Sequence, residues 1–403
     1  MIKRTGYINK LLKYKDRDLI KILTGIRRCG KSILLFELYY DKLLSLGVNK
    51  NHIIKINLEA ASSYSLRKRE SFVSYVNSQI NDDSKYYLLV DEIQFLEEFE
   101  EAVNGIRVDY NIDIYLTGSN SKLLSKDIST VLRGRSIAIE IFPLSFQEIY
   151  ESLGGDKNSL LNEYFQYGGL PYLQDIDKSE KIDYLRMVDE TVVHKDIIER
   201  YRINNIQMFG AVYDFLCSNI GAYVSSYKIA NSLVSYGFKN VSHETVGNFL
   251  EYLCDAYLFY KVNRYDIKGK NYLKTLNKYY CCDIGMRNAR VNFRQVEVTH
   301  TLENIVYLEL LRRGYLVDVG KNYQNEIDFI ARGVSDTYYI QVAYTINLEE
   351  KREQELSSFR SINDGFKKII ITMDSDPFTL LENGYKKLNL LDFLLDNDAL
   401  KKI

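Results

Sequence analysis

Gly25-Ile-Arg-Arg-Cys-Gly-Lys-Ser32, entered from Ile20-Lys-Ile-Leu-Thr24 and left through Ile33-Leu-Leu-Phe-Glu-Leu-Tyr-Tyr40, decides how this sequence is read. The spacing satisfies GxxxxGK[ST]. Its glycines can adopt backbone conformations that turn N–H groups toward phosphate oxygens, and the helix that follows presents its positive end to the same place. Lys31 is spaced to meet the β- and γ-phosphates of ATP, and the Ser32 hydroxyl to enter the shell of Mg2+. Gly25, Ile26, Arg27, Arg28, Cys29, Gly30, Lys31 and Ser32 are therefore all assigned to the nucleotide. The pattern alone is only moderately specific; the apolar strand before it and the apolar helix after it supply the confirming context.

A second apolar run, Tyr86-Tyr-Leu-Leu-Val90, ends in Asp91-Glu92. On adjacent parallel strands the loop and this pair would reach one sheet edge. Asp91 would then share the Mg2+ with Ser32, and Glu92 would act as base on the attacking water. A third run, Ile112 to Thr117, leads into Ser119 and Asn120. A polar side chain there, with Asn120 taken first, could hold the lytic water or sense the γ-phosphate; an ordinary polar loop is the plain alternative. Downstream, Arg133 and Arg135 offer a cation for transition-state charge, in cis or from a neighbouring subunit. Arg135 is preferred, with an unremarkable surface arginine as the alternative.

Working outward, residues 1–145 alternate short apolar strands (Leu19–Thr24, His52–Leu58, Tyr86–Val90, Asp113–Thr117, Ser136–Phe142) with helical patterns such as Ser32–Leu46 and Ser71–Ile80. Alternation of this kind predicts right-handed βαβ crossovers and a parallel sheet covered on both faces. Residues 146–295 are mainly helical, then read helix, turn, helix over Tyr223–Tyr260 with Ser242 as an N-cap. A β-hairpin turning at Lys268-Gly269-Lys270 follows, and the whole has the pattern of a winged helix. Residues 299–403 form a further α/β segment: a helix over Leu302–Arg313, strands near Tyr315–Val319, Glu326–Ala331 and Tyr338–Tyr344, a charged helix and the strand Lys368–Thr372. The expected fold class is α/β, a P-loop parallel-sheet core followed by a helical and winged-helix section and a small α/β domain.

Composition narrows the partners. The chain has 403 residues, 46% of them hydrophobic and 27% charged, with a formal net charge of −1. That balance suits a globular protein and offers no bulk attraction to DNA or an anionic membrane, so nucleic-acid contact would need a local patch. Between Ala222 and Tyr280, eight Lys/Arg face four Asp/Glu, and six of the basic residues (Lys261, Arg264, Lys268, Lys270, Lys274, Lys278) lie in the hairpin. A basic wing beside a helix-turn-helix suits double-stranded DNA; a protein-binding or regulatory wing is the alternative. Five cysteines (Cys29, Cys217, Cys254, Cys281, Cys282) without CxxC spacing and four scattered histidines (His52, His194, His243, His300) indicate neither disulfides nor a zinc site. No apolar run approaches membrane-spanning length and the N-terminus carries no secretory pattern, so a cytoplasmic protein is expected.

The chain resembles prokaryotic AAA-type ATPases with a C-terminal domain long labelled as of unknown function. The resemblance covers nearly the whole chain and rests on TGIRRCGKS, VDEIQ, YLTGSNSKLL, LRGRSIAIEIFPLSFQEI, YFQYGGLP, KYYCCDIGMRNA, LENIVYLELLRRGY and NEIDFIA. It implies an ATPase core, a helical segment, a winged helix and a terminal domain like that of restriction endonucleases. In that last pattern Glu303 and Asp328 match the helix glutamate and strand aspartate. The (D/E)-x-K place reads Gln341-Val342-Ala343, and no replacement lysine is evident in the domain. Metal binding and water activation should both fail there. The expected activity is Mg2+-dependent ATP hydrolysis driving a conformational switch on or near DNA, without nuclease activity. The rival reading is a signalling NTPase whose appended domains bind protein; a homo-oligomer fits either.

Overall fold

The computed structural model describes residues 2–119, 132, 134–294, 298–322, 325–360, 362–376, 379–381 and 384–402. They form two compact units, one of Met1–Pro143 with Leu170–Tyr172 and Asp255–Tyr257, the other of Leu144–Gly169, Leu173–Cys254 and Leu258–Ile403.

The first unit is built on β1 (Ile20–Thr24), β2 (Ile53–Asn57), β3 (Tyr86–Asp91), β4 (Ile112–Thr117) and β5 (Ser136–Glu140), in the order β2-β3-β4-β1-β5. Every pairing is parallel. β1, β3 and β4 are buried at every position, as strands covered on both faces must be. The expectation that the strand before the loop and the strand ending in Asp91-Glu92 are neighbours is corrected: β4 lies between them. Strand type is written locally in apolar runs, whereas strand order depends on which edge each crossover returns to.

One polar element crosses this core. Lys21 on β1 is ion-paired with Asp113 on β4, both fully buried. The Tyr115 hydroxyl donates to Asp113 at 2.8 Å and is itself bonded to the Tyr39 hydroxyl at 2.5 Å. Lys21 also donates to the Arg17 carbonyl at 2.8 Å, and Asp113 accepts the Asp16 N–H at 2.9 Å. The buried charges are thus hydrogen-bonded on several sides, which is what makes them tolerable.

The second unit begins with helices. Ser145 and Glu148 form a capping box on Phe146–Leu153. The motifs YFQYGGLP and KYYCCDIGMRNA meet in a structural clasp. Asp283 accepts N–H groups from Gly169 at 2.7 Å and Met286 at 3.1 Å, and Asn288 donates to the Phe165 and Gln166 carbonyls at 3.0 Å each. A Cβ on Gly285 would fall 1.9 Å from the Tyr167 carbonyl oxygen, so the close approach requires glycine. Ile206–Ser218, Ser226–Ser235 and His243–Asp255 follow as helices, the last capped by the Ser242 hydroxyl on Thr245 N–H at 3.0 Å.

The hairpin is β6 (Phe259–Asp266) and β7 (Asn271–Cys281), and it does not stand alone. The chain continues into β8 (Leu316–Asn322), β9 (Asn325–Arg332), β10 (Thr337–Ala343), β11 (Lys367–Thr372), β12 (Thr379–Leu380) and β13 (Lys386–Asn389). One sheet holds all eight, in the order β12-β13-β11-β10-β9-β8-β6-β7. β6 pairs in parallel with β8 through Arg264↔Val319, Tyr265↔Gly320 and Asp266↔Lys321. The expected boundary near 295–299 therefore does not separate two units. An unpaired strand edge is a template for another strand, and here β8 takes it; that pairing has no local signature.

Candidate nucleotide-binding site

The C-terminal edge of the five-stranded sheet gathers the site. Register aligns Leu23 with Thr117, and Asn57 with Asp91, so the ends of β1, β4, β3 and β2 lie along one line. Beyond β1 the chain turns through Gly25 (φ +140°) and Gly30 (φ +96°). A Cβ at Gly25 would lie 2.2 Å from the Ile141 carbonyl oxygen. Both positions thus require glycine, one for close approach and both for backbone conformation. Lys31 opens a helix that runs on through a π segment, Leu34–Tyr39, to Ser45. Its buried ammonium donates to the Gly25 and Ile26 carbonyls at 2.9 Å each, which curls the side chain over the loop.

Asp91 and Glu92 are both buried. Thr117 Oγ1 donates to Asp91 Oδ1 at 2.5 Å and accepts the Glu92 N–H at 3.0 Å. Glu92 sits at φ +56°, an uncommon conformation for a residue with a side chain. Burial pushes its pKa up; the Lys31 ammonium and a hydrogen bond from Gln94 pull it down, and the Asp91 charge adds to the rise.

The sequence pattern of an AAA domain matches residues 17–150, and that of a domain of unknown function (DUF8612) matches residues 158–297. An uncharacterized protein of Haemophilus influenzae is 38% identical over 401 residues, covering 98% of this chain and 99% of that one. A second, MJ1544 of Methanocaldococcus jannaschii, is 30% identical over 414 residues, covering 97% and 89%. The chain belongs to this family of AAA ATPases. Among solved structures, the Aeropyrum pernix ORC1 protein in complex with DNA aligns with 72% of this chain and 93% of its own at 11% identity, with a TM-score of 0.31. A DNA replication initiation factor covers 62% and 87% at 17% identity and a TM-score of 0.27.

The residues of the AAA domain fit ATP and Mg2+. The Ser119 hydroxyl, just past β4 on the same edge, is buried and has no hydrogen-bond partner among the described residues. A buried hydroxyl without a partner suits a site completed by a bound polar group. Ser32 and Asp91 would supply one hydroxyl and one carboxylate to Mg2+, which takes its remaining oxygens from phosphates and water.

The other expected participants fare differently. Asn120 and Arg133 lie outside the described residues. Arg135 precedes β5 on the opposite edge of the sheet, where its carbonyl accepts the Ile20 N–H at 2.8 Å and its guanidinium donates to Asn104 at 3.3 Å. Roughly 16 Å of strand separates that edge from the loop. An action of Arg135 on the γ-phosphate of its own chain is thereby corrected; only a neighbouring copy's nucleotide remains open to it.

Three residues to which the sequence assigns no role also shape this site. Arg4, buried, donates to the Cys29 carbonyl at 2.9 Å and the Phe142 carbonyl at 2.8 Å. Tyr7 lies beneath its guanidinium and accepts the Phe142 N–H at 3.1 Å. Gln94 reaches back to the Glu92 carboxylate. Arg4 and Tyr7 act through tertiary contacts with no motif of their own, whereas Gln94 closes the VDEIQ motif and acts on a neighbour two positions away.

In the second unit Lys261, Lys268 and Lys270 are exposed, and the Lys274 side chain lies outside the described residues. Lys278 is not on the basic surface: it is buried and ion-paired with Glu303 and Glu326. The expectation that residues 299–403 supply no replacement lysine is untouched by this contact, because the amine beside Glu303 arrives from β7, upstream of that segment. No described helix is long and apolar enough to cross a membrane.

Proposed function

We propose that this chain is a cytoplasmic ATPase that hydrolyses ATP with Mg2+ and uses the cycle as a conformational switch. The observation that carries the reading is the single Thr117 hydroxyl that orients both Asp91 and Glu92 on the edge where Lys31 opens its helix. Mg2+ would neutralise phosphate charge, held by Ser32 and Asp91. Gly25 to Ser32 would cradle the phosphates through backbone N–H groups, and Lys31 would swing from its carbonyl contacts to the β/γ oxygens. Glu92 would take the proton of the attacking water. Purified protein should hydrolyse ATP only with Mg2+; Lys31→Ala should lose nucleotide affinity, and Glu92→Gln should bind ATP but turn over roughly 10²-fold more slowly. Parent-rate hydrolysis by Glu92→Gln would refute the assignment of the base.

The exposed lysines of the β6–β7 hairpin, following the helices Ser226–Ser235 and His243–Asp255, favour action on or near double-stranded DNA, with the segment read as a winged helix. Salt-sensitive binding of plain duplex DNA supports this; its absence at low salt supports the signalling alternative, with a protein partner.

A further inference from the structure

In the second unit, β7, β9 and the helix Val298–Arg312 bring together a further group of charges. Lys278 Nζ lies 2.5 Å from Glu326 Oε1 and 3.5 Å from Glu303 Oε2. Glu303 Oε2 also accepts the Tyr280 hydroxyl at 3.1 Å, and His300 Nδ1 stands 3.7 Å from Glu303 Oε1. Asp328, beside them, accepts the Val342 N–H at 2.8 Å. Gln341, where a nuclease would carry a carboxylate, is tied at both ends: its oxygen accepts the Asp328 N–H at 2.8 Å and its nitrogen donates to Glu355 at 3.2 Å. Lys278, Glu303, Asp328 and Gln341 are 4%, 6%, 9% and 5% exposed, so Lys278, Glu303 and Asp328 need partners within the protein, while Glu326, its side chain 31% exposed, meets solvent at the rim.

We propose that the Lys278 ammonium is the resident cation of this cluster, held where the nuclease-like pattern would place a divalent metal, so that the second unit keeps the acidic arrangement as a metal-independent structural centre. The ammonium lies between Glu303 and Glu326 and is the one lysine among the described residues within 4 Å of either. A divalent ion on Glu303 and Asp328 would have to share this water-poor space with a positive charge already bonded to Glu303. Glu303, Asp328 and Glu326 outweigh burial and hold the Lys278 pKa above the ordinary lysine range, so the amine stays charged. Burial and the Glu303 charge push the Asp328 carboxyl upward, while Lys278 draws it back. Gly221 closes one side: at φ +71°, a Cβ there would lie 3.0 Å from His300 Nδ1 and 3.1 Å from Glu303 Oε2. The groups acting on Lys278 are thus Glu303, Glu326, Asp328 and the Tyr223 ring, with His300 and Tyr280 standing against Glu303.

The test uses the full chain without nucleotide, with Mn2+ as probe, read by electron paramagnetic resonance and thermal melting. Wild type is expected to show no Mn2+ binding that Glu303→Gln removes and no Mn2+-dependent rise in Tm. Lys278→Met should melt lower by roughly 5–10 °C and recover with added Mn2+, because the vacated carboxylates then accept the metal. Lys278→Arg should keep the wild-type Tm, and Lys278→Met/Glu303→Gln should regain part of the loss without metal, which separates charge balance from simple misfolding. Mn2+ binding by wild type that Glu303→Gln abolishes would overturn the proposal. So would Mg2+-dependent DNA cleavage that disappears in Lys278→Met, which would make Lys278 a catalytic lysine. A Lys278→Met protein as stable as wild type and indifferent to Mn2+ would overturn it as well.

Discussion

Thr117 Oγ1 stands 2.5 Å from Asp91 Oδ1, with β4 carrying the hydroxyl to the strand that ends in the acidic pair. The same oxygen accepts the Glu92 N–H, so one side chain sets the direction of the proposed metal ligand and of the proposed base. Thr117→Val keeps the volume and removes both bonds. We expect kcat to fall about 10-fold with KM for ATP little changed, since orientation matters most in the transition state. Thr117→Ser should restore most of it. Steady-state kinetics decide: an unchanged kcat in Thr117→Val removes the hydroxyl from the mechanism.

Glu92 gives a pH prediction with a definite sign. Burial raises its pKa, and the Lys31 charge and the Gln94 hydrogen bond oppose the rise. A base works when ionised, so turnover should climb with pH through a value above that of an ordinary glutamate. Gln94→Leu removes a donor that favours the carboxylate and should move that climb to higher pH; Glu92→Gln should abolish it. Linkage runs the other way for stability. The folded state holds this proton to higher pH than the unfolded chain, so stability falls as pH rises from the ordinary glutamate range to the raised value. Glu92→Gln should therefore melt higher than wild type at neutral pH and no higher at pH 4.

The strands and the phosphate loop are legible in the sequence because their signals are local: unbroken apolar runs, two glycines, a lysine and a hydroxyl at fixed spacing. The order β2-β3-β4-β1-β5 is not, and so the role of Thr117 emerges only once β4 stands between the loop and Asp91. Asp113 reads as one polar residue in an apolar strand; only the tertiary fold brings Lys21 to it. The clasp at Asp283 lies within two motifs whose meeting spans more than a hundred residues. Lys278 reads as part of a basic hairpin because net charge along a segment does not say which side chains face inward.

Arg4 yields a prediction from peptide geometry. In a trans peptide the C=O and N–H point opposite ways, so gripping the Cys29 carbonyl also fixes the direction of the Gly30 N–H. Arg4→Met should raise the Kd for ATP and ADP about 10-fold, the scale of one missing charge-assisted hydrogen bond, and leave adenosine binding unaltered. Arg4→Lys should recover part of the affinity. Equal weakening of adenosine, measured by calorimetry, would mean general disruption instead.

The Lys21–Asp113 pair makes a stability prediction. Either Lys21→Met or Asp113→Leu alone strands a charge in the sheet core, at a cost of about 3–5 kcal/mol. The double variant removes both charges and should cost much less than the sum. The Tyr115 hydroxyl, which accepts from Tyr39, would still lose its own acceptor, so full recovery is not expected. Urea unfolding of the two single variants and the double one measures the coupling; additive losses would show that the two charges do not depend on each other.

The hairpin prediction follows from which lysines face outward. Lys268 and Lys270 flank the β6–β7 turn and are exposed, whereas Lys278, at the far end of β7, is committed to Glu303 and Glu326. A lysine bound to a phosphate releases about one counterion, so removing that lysine lowers the slope of log affinity against log salt by about one unit. If the hairpin holds duplex DNA, reversing Lys268 and Lys270 to Glu should flatten the slope by about two units and weaken binding equally for unrelated sequences. ATP hydrolysis without DNA should be untouched, because neither lysine belongs to the sheet edge that carries Lys31 and Asp91. Lys278→Arg, in contrast, should leave the slope unchanged, since that side chain is enclosed. Titration of a fluorescent duplex across a salt series provides the measurement. A full slope retained by the double reversal would exclude the turn as the DNA-binding surface and shift weight to a protein partner.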